Sequence, residues 1–578
     1  MEGGTCGPLF FFMLIYISAV ALFLSWLLPL HFPPWVSWHL ELLAFVAVYL
    51  LAWSVILIPK LKAGLGAFRI PAVGLPFITL GLVAVVQFST GVVTYGGDAL
   101  VFVLYMVLCV MCLTLGFDCG AQTISFAGTD HAKKIDSALV LLAGVVLVGA
   151  FASAVLAFAQ VLDVWEATWI NRTHQLRRPG ANLGQPNHLA TLLLMGVASL
   201  LFLYELGRLK ALSSILIFIV LGMALAFTES RTGVLSFLLL AGWWFVKNKR
   251  VGFKSSHWTI SLAFIVFLAI FWTWPSIFAF IQKIGTSAEV NVKAGSRLMV
   301  WPQLFEAVTQ RPWLGWGLGN VPEAHNAVVH AYLVSEPFSY SHNILLDLAL
   351  GIGVPITVIL VLLTGWWLWT RLMQANQLRS WYCLAVSLPL AVHSLFEFPF
   401  AYAYFLVPVM FALGILEGMS KGKVAFQIGL RLAIAIFFGV NIIAAWSAIE
   451  YFRIEEDFRI ARFEGLKLGQ TPTDYERPKV VILTQLGALL DGARIAPKPD
   501  MTANELELAK KVAMRYPWTA TQNRYALSLA LNGNPEEAIR QMRVIRALYG
   551  EKTYNTIKNN WKVLAEDKFP QLRGLELP

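Results

Sequence analysis

Between residues 8 and 449 the sequence keeps returning to one pattern: a run of about 20 apolar residues closed at each end by charged or turn-forming residues. A hydrocarbon core about 30 Å thick demands that length of helix at 1.5 Å per residue. In such a solvent each run must satisfy its own backbone N–H and C=O groups, so the chain is expected to be all-α and polytopic. Thirteen runs can be marked, at 8–30, 36–58, 72–90, 97–117, 137–162, 187–205, 211–227, 232–246, 258–280, 342–370, 381–396, 400–418 and 428–449. Composition excludes an ordinary soluble domain, with 58% hydrophobic and only 13% charged residues. The net charge of +10 is not gathered on a dense basic face, which argues for positive-inside loops rather than nucleic-acid binding. The first run follows an acidic Glu2 and has no small-residue cleavage site, so it reads as a retained anchor. Cys109-x-x-Cys112 lies in an apolar run without a second ligand pair and gives no metal or redox site.

Lysine and arginine counts orient the bundle. Loops on one side hold 16 of them, from Lys60 to Arg431, and loops on the other hold 8, from Arg172 to Arg311. The first side is expected to be cytoplasmic, leaving the N-terminus inside and the segment after residue 450 outside. That segment, 451–578, is charged and helical in pattern. Around Asn523–Ala538 it resembles one half of a tetratricopeptide hairpin, turning at Asn532-Gly533-Asn534-Pro535. The expected division is a transmembrane domain over 1–450, with a large outer loop at 281–341, followed by an outer α-helical domain.

Polar residues interrupt the pattern in four places, all on the outer side. They are Arg177–His188, Glu229–Gly233, the loop ending in Ser341-His342-Asn343, and His393–Tyr404. Run centres carry almost no ionisable groups, with Glu41 and Asp347 near outer ends. A transporter or flippase would place charges or broken helices at the midplane, so the chemistry here is expected at one interface. Each motif also has a structural reading. Gln185-Pro186-Asn187 can simply start a helix with Asn187 as cap, Arg231 can snorkel, and Tyr402 and Tyr404 can belong to an aromatic belt. Among the histidines, His325 precedes no long run and reads as structural. His342 opens one, with Ser341 as the expected N-cap. The positive end of a helix disfavours imidazolium, and a neutral imidazole can take a proton from a hydroxyl.

Gly184-Gln185-Pro186-Asn187-His188, Glu229-Ser230-Arg231-Thr232-Gly233, Arg297-x3-Trp301 with Pro312-x-Leu314-Gly315-x-Gly317, and Ser341-His342-Asn343 occur in the order seen in the O-antigen ligase/polymerase superfamily. With Phe398-Pro399-Phe400-x-Tyr402-x-Tyr404 and the soluble tail, the chain most resembles the pilin-glycosylating protein O-oligosaccharyltransferases. The resemblance implies a GT-C-like bundle in the bacterial inner membrane with its site facing the periplasm. It implies transfer of a preassembled glycan from undecaprenyl diphosphate to Ser or Thr hydroxyls of a periplasmic protein such as pilin. By the same resemblance His342 is the base, Arg231, Arg297 and Arg178 hold the donor diphosphate, and Gln185, Asn187, Tyr402 and Tyr404 contact acceptor or glycan. Inversion by single displacement is expected, since no nucleophile arrangement suggests a covalent intermediate. No Asp-x-Asp pair lies on the outer face, so no metal and no cofactor are expected. The nearest alternative is an O-antigen ligase, using the same donor with a lipid A-core sugar hydroxyl as acceptor; a polymerase, whose acceptor is another lipid-linked glycan, comes next and shares this logic.

Overall fold

The protein is described by a computed structural model over residues 6–56, 67–121, 131–163, 169–170, 177–281, 295 and 297–577. Arg172, Lys283, Lys293 and most of the segment expected to begin the outer loop lie outside the described residues. Twenty α-helices and one two-stranded sheet are formed among them. Helices α1 Cys6–Leu27, α2 Trp38–Ile56, α3 Leu75–Ser89, α4 Gly96–Gly120, α5 His131–Leu162, α6 Pro186–Glu205, α7 Ala211–Phe227, α8 Arg231–Val251 and α9 His257–Ile281 follow the first nine runs. Then come α10 Arg297–Gln310, α11 Val321–Val329, α12 Ile344–Ile352, α13 Val354–Gln374, α14 Leu378–His393, α15 Ala403–Met419 and α16 Leu430–Leu466. The tail adds α17 Thr484–Ala493, α18 Ala503–Arg515, α19 Thr519–Leu531 and α20 Pro535–Asp567.

Among the described residues seven helical segments are long and apolar enough to cross a membrane, and four more are apolar but shorter. The protein is therefore a polytopic membrane protein. Two details depart from the sequence expectation. The tenth run is not one helix: Gly353, at φ 82° and ψ 164°, breaks it into α12 and the spanning α13. A small antiparallel sheet also forms where only loop was expected, pairing β1 Ala67–Pro71 with β2 Val424–Gly429.

By packing, the chain divides into two compact units: residues 1–80, 104–292 and 364–442, and residues 81–103, 293–363 and 443–578. In the first, α4 and α15 cross through matched small residues, Gly116-x3-Gly120 against Gly414-x3-Gly418. A Cβ on Gly116 would lie 2.2 Å from the Phe411 carbonyl oxygen, and one on Gly414 would lie 2.4 Å from that of Leu113. Only glycine permits this approach, the usual means of joining helices where lipid supplies no hydrophobic drive. Loops holding the larger Lys/Arg count are tied by ion pairs, Arg69–Asp118, Arg379–Asp136 and Arg371–Glu417, each with a partly or fully buried acid.

In the second unit, α10, α11 and α12 close around Val300, Leu304, Ala307, Trp316, Val328 and Leu346. The tail packs on this core. Ser335 N–H donates to the Ala547 carbonyl at 2.7 Å, Arg540 donates to the Asn326 carbonyl at 3.2 Å, and Val329 joins Val544, Ala547 and Leu548 in an apolar cluster. The hairpin expected near Asn523–Ala538 is present as α19 and α20, turning at Gly533 with φ +79°. Helix α16 runs unbroken through residue 450, and Glu450 accepts the backbone N–H groups of Val481, Ile482 and Leu483, so the linker is pinned back onto it.

Candidate active site

In the first unit the Arg177–His188 loop is held by its own polar residues. Gln160 brackets Ala181, accepting from its N–H at 2.9 Å and donating to its C=O at 3.1 Å, while Asn182 donates to the Leu27 and Trp169 carbonyls. Gly180 is required, because a Cβ there would meet Gln185 N at 2.6 Å. This fixes two adjacent arginines with different fates. Arg177 makes a bidentate pair with Glu229 at 2.6 and 2.7 Å, which raises its pKa and satisfies its charge. Arg178 gives Nε–H to the Thr228 carbonyl at 3.1 Å. Burial pushes its pKa down, Glu229 opposes this, and Arg177 and Arg231 add repulsion. A locally positive site results, with Arg178 and Arg231 feeling one another's field.

Glu229 takes a left-handed φ of +48°, and Ser230 then caps α8 by accepting from Gly233 N–H at 3.1 Å. Arg231 is thus the exposed first residue of a helix, at the positive end of its dipole. Asn187 does not cap α6; it donates to Glu397 Oε1 at 3.1 Å. Gln185 occupies the cap position in extended backbone without a side-chain cap bond. Its buried Oε1 has no hydrogen-bond partner among the described residues.

Tyr402 is half-buried, lies 4.7 Å from the His188 ring centre in a T-shaped contact, and stacks on Phe398. Tyr404 is fully buried, its carbonyl receiving the Trp26 indole N–H at 3.1 Å, so Tyr402 is the accessible member of the pair. The α15 start beneath them rests on Glu41, whose Oε2 accepts from Ala403 N–H at 2.6 Å and Tyr105 O–H at 2.7 Å. Glu41 and Glu397 are site supports that spacing did not reveal. A carboxylate inside an apolar run was the only signal for the first.

The second unit carries Arg297 and His342. Arg297 is the first residue of α10. One turn on, the Trp301 indole donates to the Ser341 carbonyl at 2.7 Å. His342 has φ +61°, and the residue that caps α12 is Asn343, not Ser341: Asn343 Oδ1 accepts from Leu345 N–H and Leu346 N–H at 2.9 and 3.2 Å. Ser341 instead staples the turn, its hydroxyl donating to the Asn343 carbonyl at 2.8 Å. Asp347 reaches back from the first turn and accepts Ser341 N–H at 2.9 Å. Burial pushes the Asp347 pKa up to about 7, against the pull of Ser341. Left-handed backbone costs a non-glycine residue about 1–2 kcal/mol. These bonds hold His342 in it, with its ring 4.5 Å from that of Phe338. His325 differs entirely: it is 2% exposed, it hydrogen-bonds Gln303 and Ser335 at 2.9 and 3.1 Å, and burial lowers its pKa to about 4.

Three family descriptions match the chain in order: "Protein glycosylation ligase" over 179–204, "O-Antigen ligase" over 215–361, and "Virulence factor membrane-bound polymerase, C-terminal" over 381–563. A general O-oligosaccharyltransferase of Acinetobacter baylyi (strain ATCC 33305 / BD413 / ADP1) is 26% identical over 555 residues, 93% of each chain. By these matches the chain is an O-oligosaccharyltransferase, similar to those of the O-antigen ligase family. A ComP-specific O-oligosaccharyltransferase of the same organism is 25% identical over 510 residues, 85% of this chain and 87% of its own. This oligosaccharyltransferase is thus a glycosyltransferase, and the matched stretches contain every sequence-predicted position except Arg178, which immediately precedes the first. Gln185 and Asn187 fall in the first stretch, Arg231, Arg297 and His342 in the second, and Tyr402 and Tyr404 in the third.

Proposed function

We propose that this enzyme moves a preassembled glycan en bloc from undecaprenyl diphosphate to Ser or Thr hydroxyls of a protein such as pilin, from the outer face of the bacterial inner membrane. The observation that carries this reading is the locked Ser341–Asn343 turn, which offers one histidine in a stapled, left-handed conformation while the nearby His325 is consumed by the core. His342 takes the proton of the acceptor hydroxyl as its oxygen attacks the anomeric carbon. The bond from that carbon to the diphosphate oxygen breaks, and the electron pair leaves with the diphosphate. A single displacement inverts the anomeric centre.

The leaving group needs charge stabilisation more than a proton. Arg231 and Arg297 each begin a helix, so at each a guanidinium fork lies at the positive end of a helix, and Arg178 supplies a third cation. Arg177 is excluded from this role by its pairing with Glu229. Gln185 Oε1 and Tyr402 offer an acceptor atom and an aromatic face to glycan or protein. Both relatives are named O-oligosaccharyltransferases, and residues 179–204 match a protein glycosylation ligase, which favours a protein over a lipid-core acceptor. No metal is assigned to the reaction.

The test is reconstitution with a polyprenyl diphosphate-linked glycan and a pilin. Mass spectrometry should show one glycan added per modified hydroxyl, none with His342→Ala, and an inverted linkage by NMR. Glycan appearing only on lipopolysaccharide core, a retained linkage, or chelator-sensitive activity restored by Mg²⁺ would each overturn the corresponding part.

A further inference from the structure

Helix α10 has two unlike faces. Val300, Leu304, Ala307 and Val308 fill the core of the second unit. Leu298 and Phe305, seven residues apart and therefore on one stripe, stay 65% and 57% exposed. Just past the helix, Trp313 and Leu314 are 74% and 75% exposed. Four large apolar side chains left open on a hydrated loop call for a partner.

The backbone beneath them says what that partner is. The Pro312 carbonyl accepts Val354 N–H at 2.8 Å, and Trp316 N–H donates to the Leu350 carbonyl at 2.6 Å. A Cβ on Gly353 would lie 2.2 Å from the Trp313 carbonyl oxygen. Trp313 and Leu314 are thereby fixed at the first turn of α13, a membrane-spanning helix whose Val358, Ile359, Leu362 and Leu363 are exposed as lipid-facing residues must be. The lipid-facing surface of α13 therefore continues at its outer end into Trp313 and Leu314, at the level where tryptophan prefers the membrane–water interface.

We propose that the outer loop docks on the bilayer, with α10 half-submerged in the headgroup region on its Leu298–Phe305 stripe and anchored by Trp313 and Leu314. An interfacial amphipathic helix of this kind buries its apolar face roughly 5–10 Å into the headgroup boundary. Arg297, adjacent to Leu298, then sits at headgroup depth. This deepens the proposed function, because a diphosphate carried by a polyprenyl chain would meet its arginine without leaving the membrane.

Depth measurement tests it without requiring turnover, so it stands or falls separately from the chemistry. Cys109, Cys112, Cys119 and Cys383 are buried. In a Cys6→Ser background, a single cysteine introduced at position 298, 305 or 314 can carry a nitroxide label, with Gln310→Cys as the aqueous reference. In full-length enzyme reconstituted into phosphatidylethanolamine–phosphatidylglycerol vesicles, labels at 298, 305 and 314 should favour oxygen over a water-soluble nickel complex several-fold more than the label at 310. Equal accessibility at all four positions would overturn the proposal. So would shielding that appears only when acceptor protein is added, which would make the stripe a protein-docking surface instead.

Discussion

Replacing Asp347 isolates what the His342 turn contributes to rate. Its carboxylate accepts Ser341 N–H at 2.9 Å, one residue before the left-handed His342. A hydrogen bond to a charged group is worth about 1.5–3 kcal/mol, and left-handed backbone costs a non-glycine residue about 1–2 kcal/mol. Deleting the acceptor thus removes about as much free energy as the strained turn needs to persist. Each 1.36 kcal/mol is tenfold in rate, so Asp347→Ala should lower kcat ~10–100-fold. KM for the lipid donor should hold, because the Asp347 bond is made to Ser341 in the turn and not to Arg297. Asp347→Asn keeps an acceptor oxygen for Ser341 and should lose far less. The assay is transfer in proteoliposomes at pH 8, above the Asp347 pKa of about 7, where the carboxylate is ionised. A wild-type kcat for Asp347→Ala, or an equal loss in the Asn variant, would refute the argument.

The histidines should separate cleanly: His342→Ala abolishes transfer with the protein still folded, whereas His325→Asn weakens the loop but leaves measurable transfer, and the reverse pattern exchanges their roles. His325 also sets a pH dependence. Its native pKa of about 4 lies below the ordinary 6.5, so the unfolded chain takes up the extra proton. Loop stability should be full above pH 6.5 and fall by ~3 kcal/mol as pH drops towards 4, read as protease resistance and flattened in His325→Gln. Arg231→Lys and Arg297→Lys should each be poor enzymes because a point charge cannot make the bidentate fork, and wild-type rates in both would remove the diphosphate assignment. Deleting 455–578 should abolish transfer even to a short peptide, since the tail covers Val329 and holds Ser335; retained transfer would show that the outer loop does not need it.

The apolar runs were legible because lipid imposes both length and apolarity on a spanning helix; nearly every run became a helix, and among the described residues seven helical segments are long and apolar enough to cross a membrane. The break at Gly353 was not, since apolar residues continue on both sides and only the backbone angle of one glycine divides them. Likewise Ser341 and Asn343 are both competent caps, and the choice between them follows from the φ of His342, which no spacing encodes. Motif order picked out the arginines and the histidine as candidates. It did not single out Glu41 or Asp347, which accept the backbone N–H groups of Ala403 and Ser341, bonds that leave no mark on the side chain of either donor. The tail hairpin was announced by Asn532-Gly533-Asn534-Pro535. Its packing on the outer loop depends on pairs such as Asn326 and Gln541, more than 200 residues apart, and could not be announced by any local signal.

The positive φ of His342 bears on how its chemistry can be dissected. Alanine at this position keeps the backbone strain and merely deletes the ring, so any loss mixes a missing base with a restless turn. Glycine removes both the ring and the strain, since it occupies the left-handed region without penalty. His342→Gly should therefore preserve the stapled geometry better than His342→Ala while leaving an imidazole-sized vacancy beside Phe338. Added imidazole would then serve as a diffusible replacement for the missing side chain, and the concentration at which it restores transfer would report how well this turn had positioned its own.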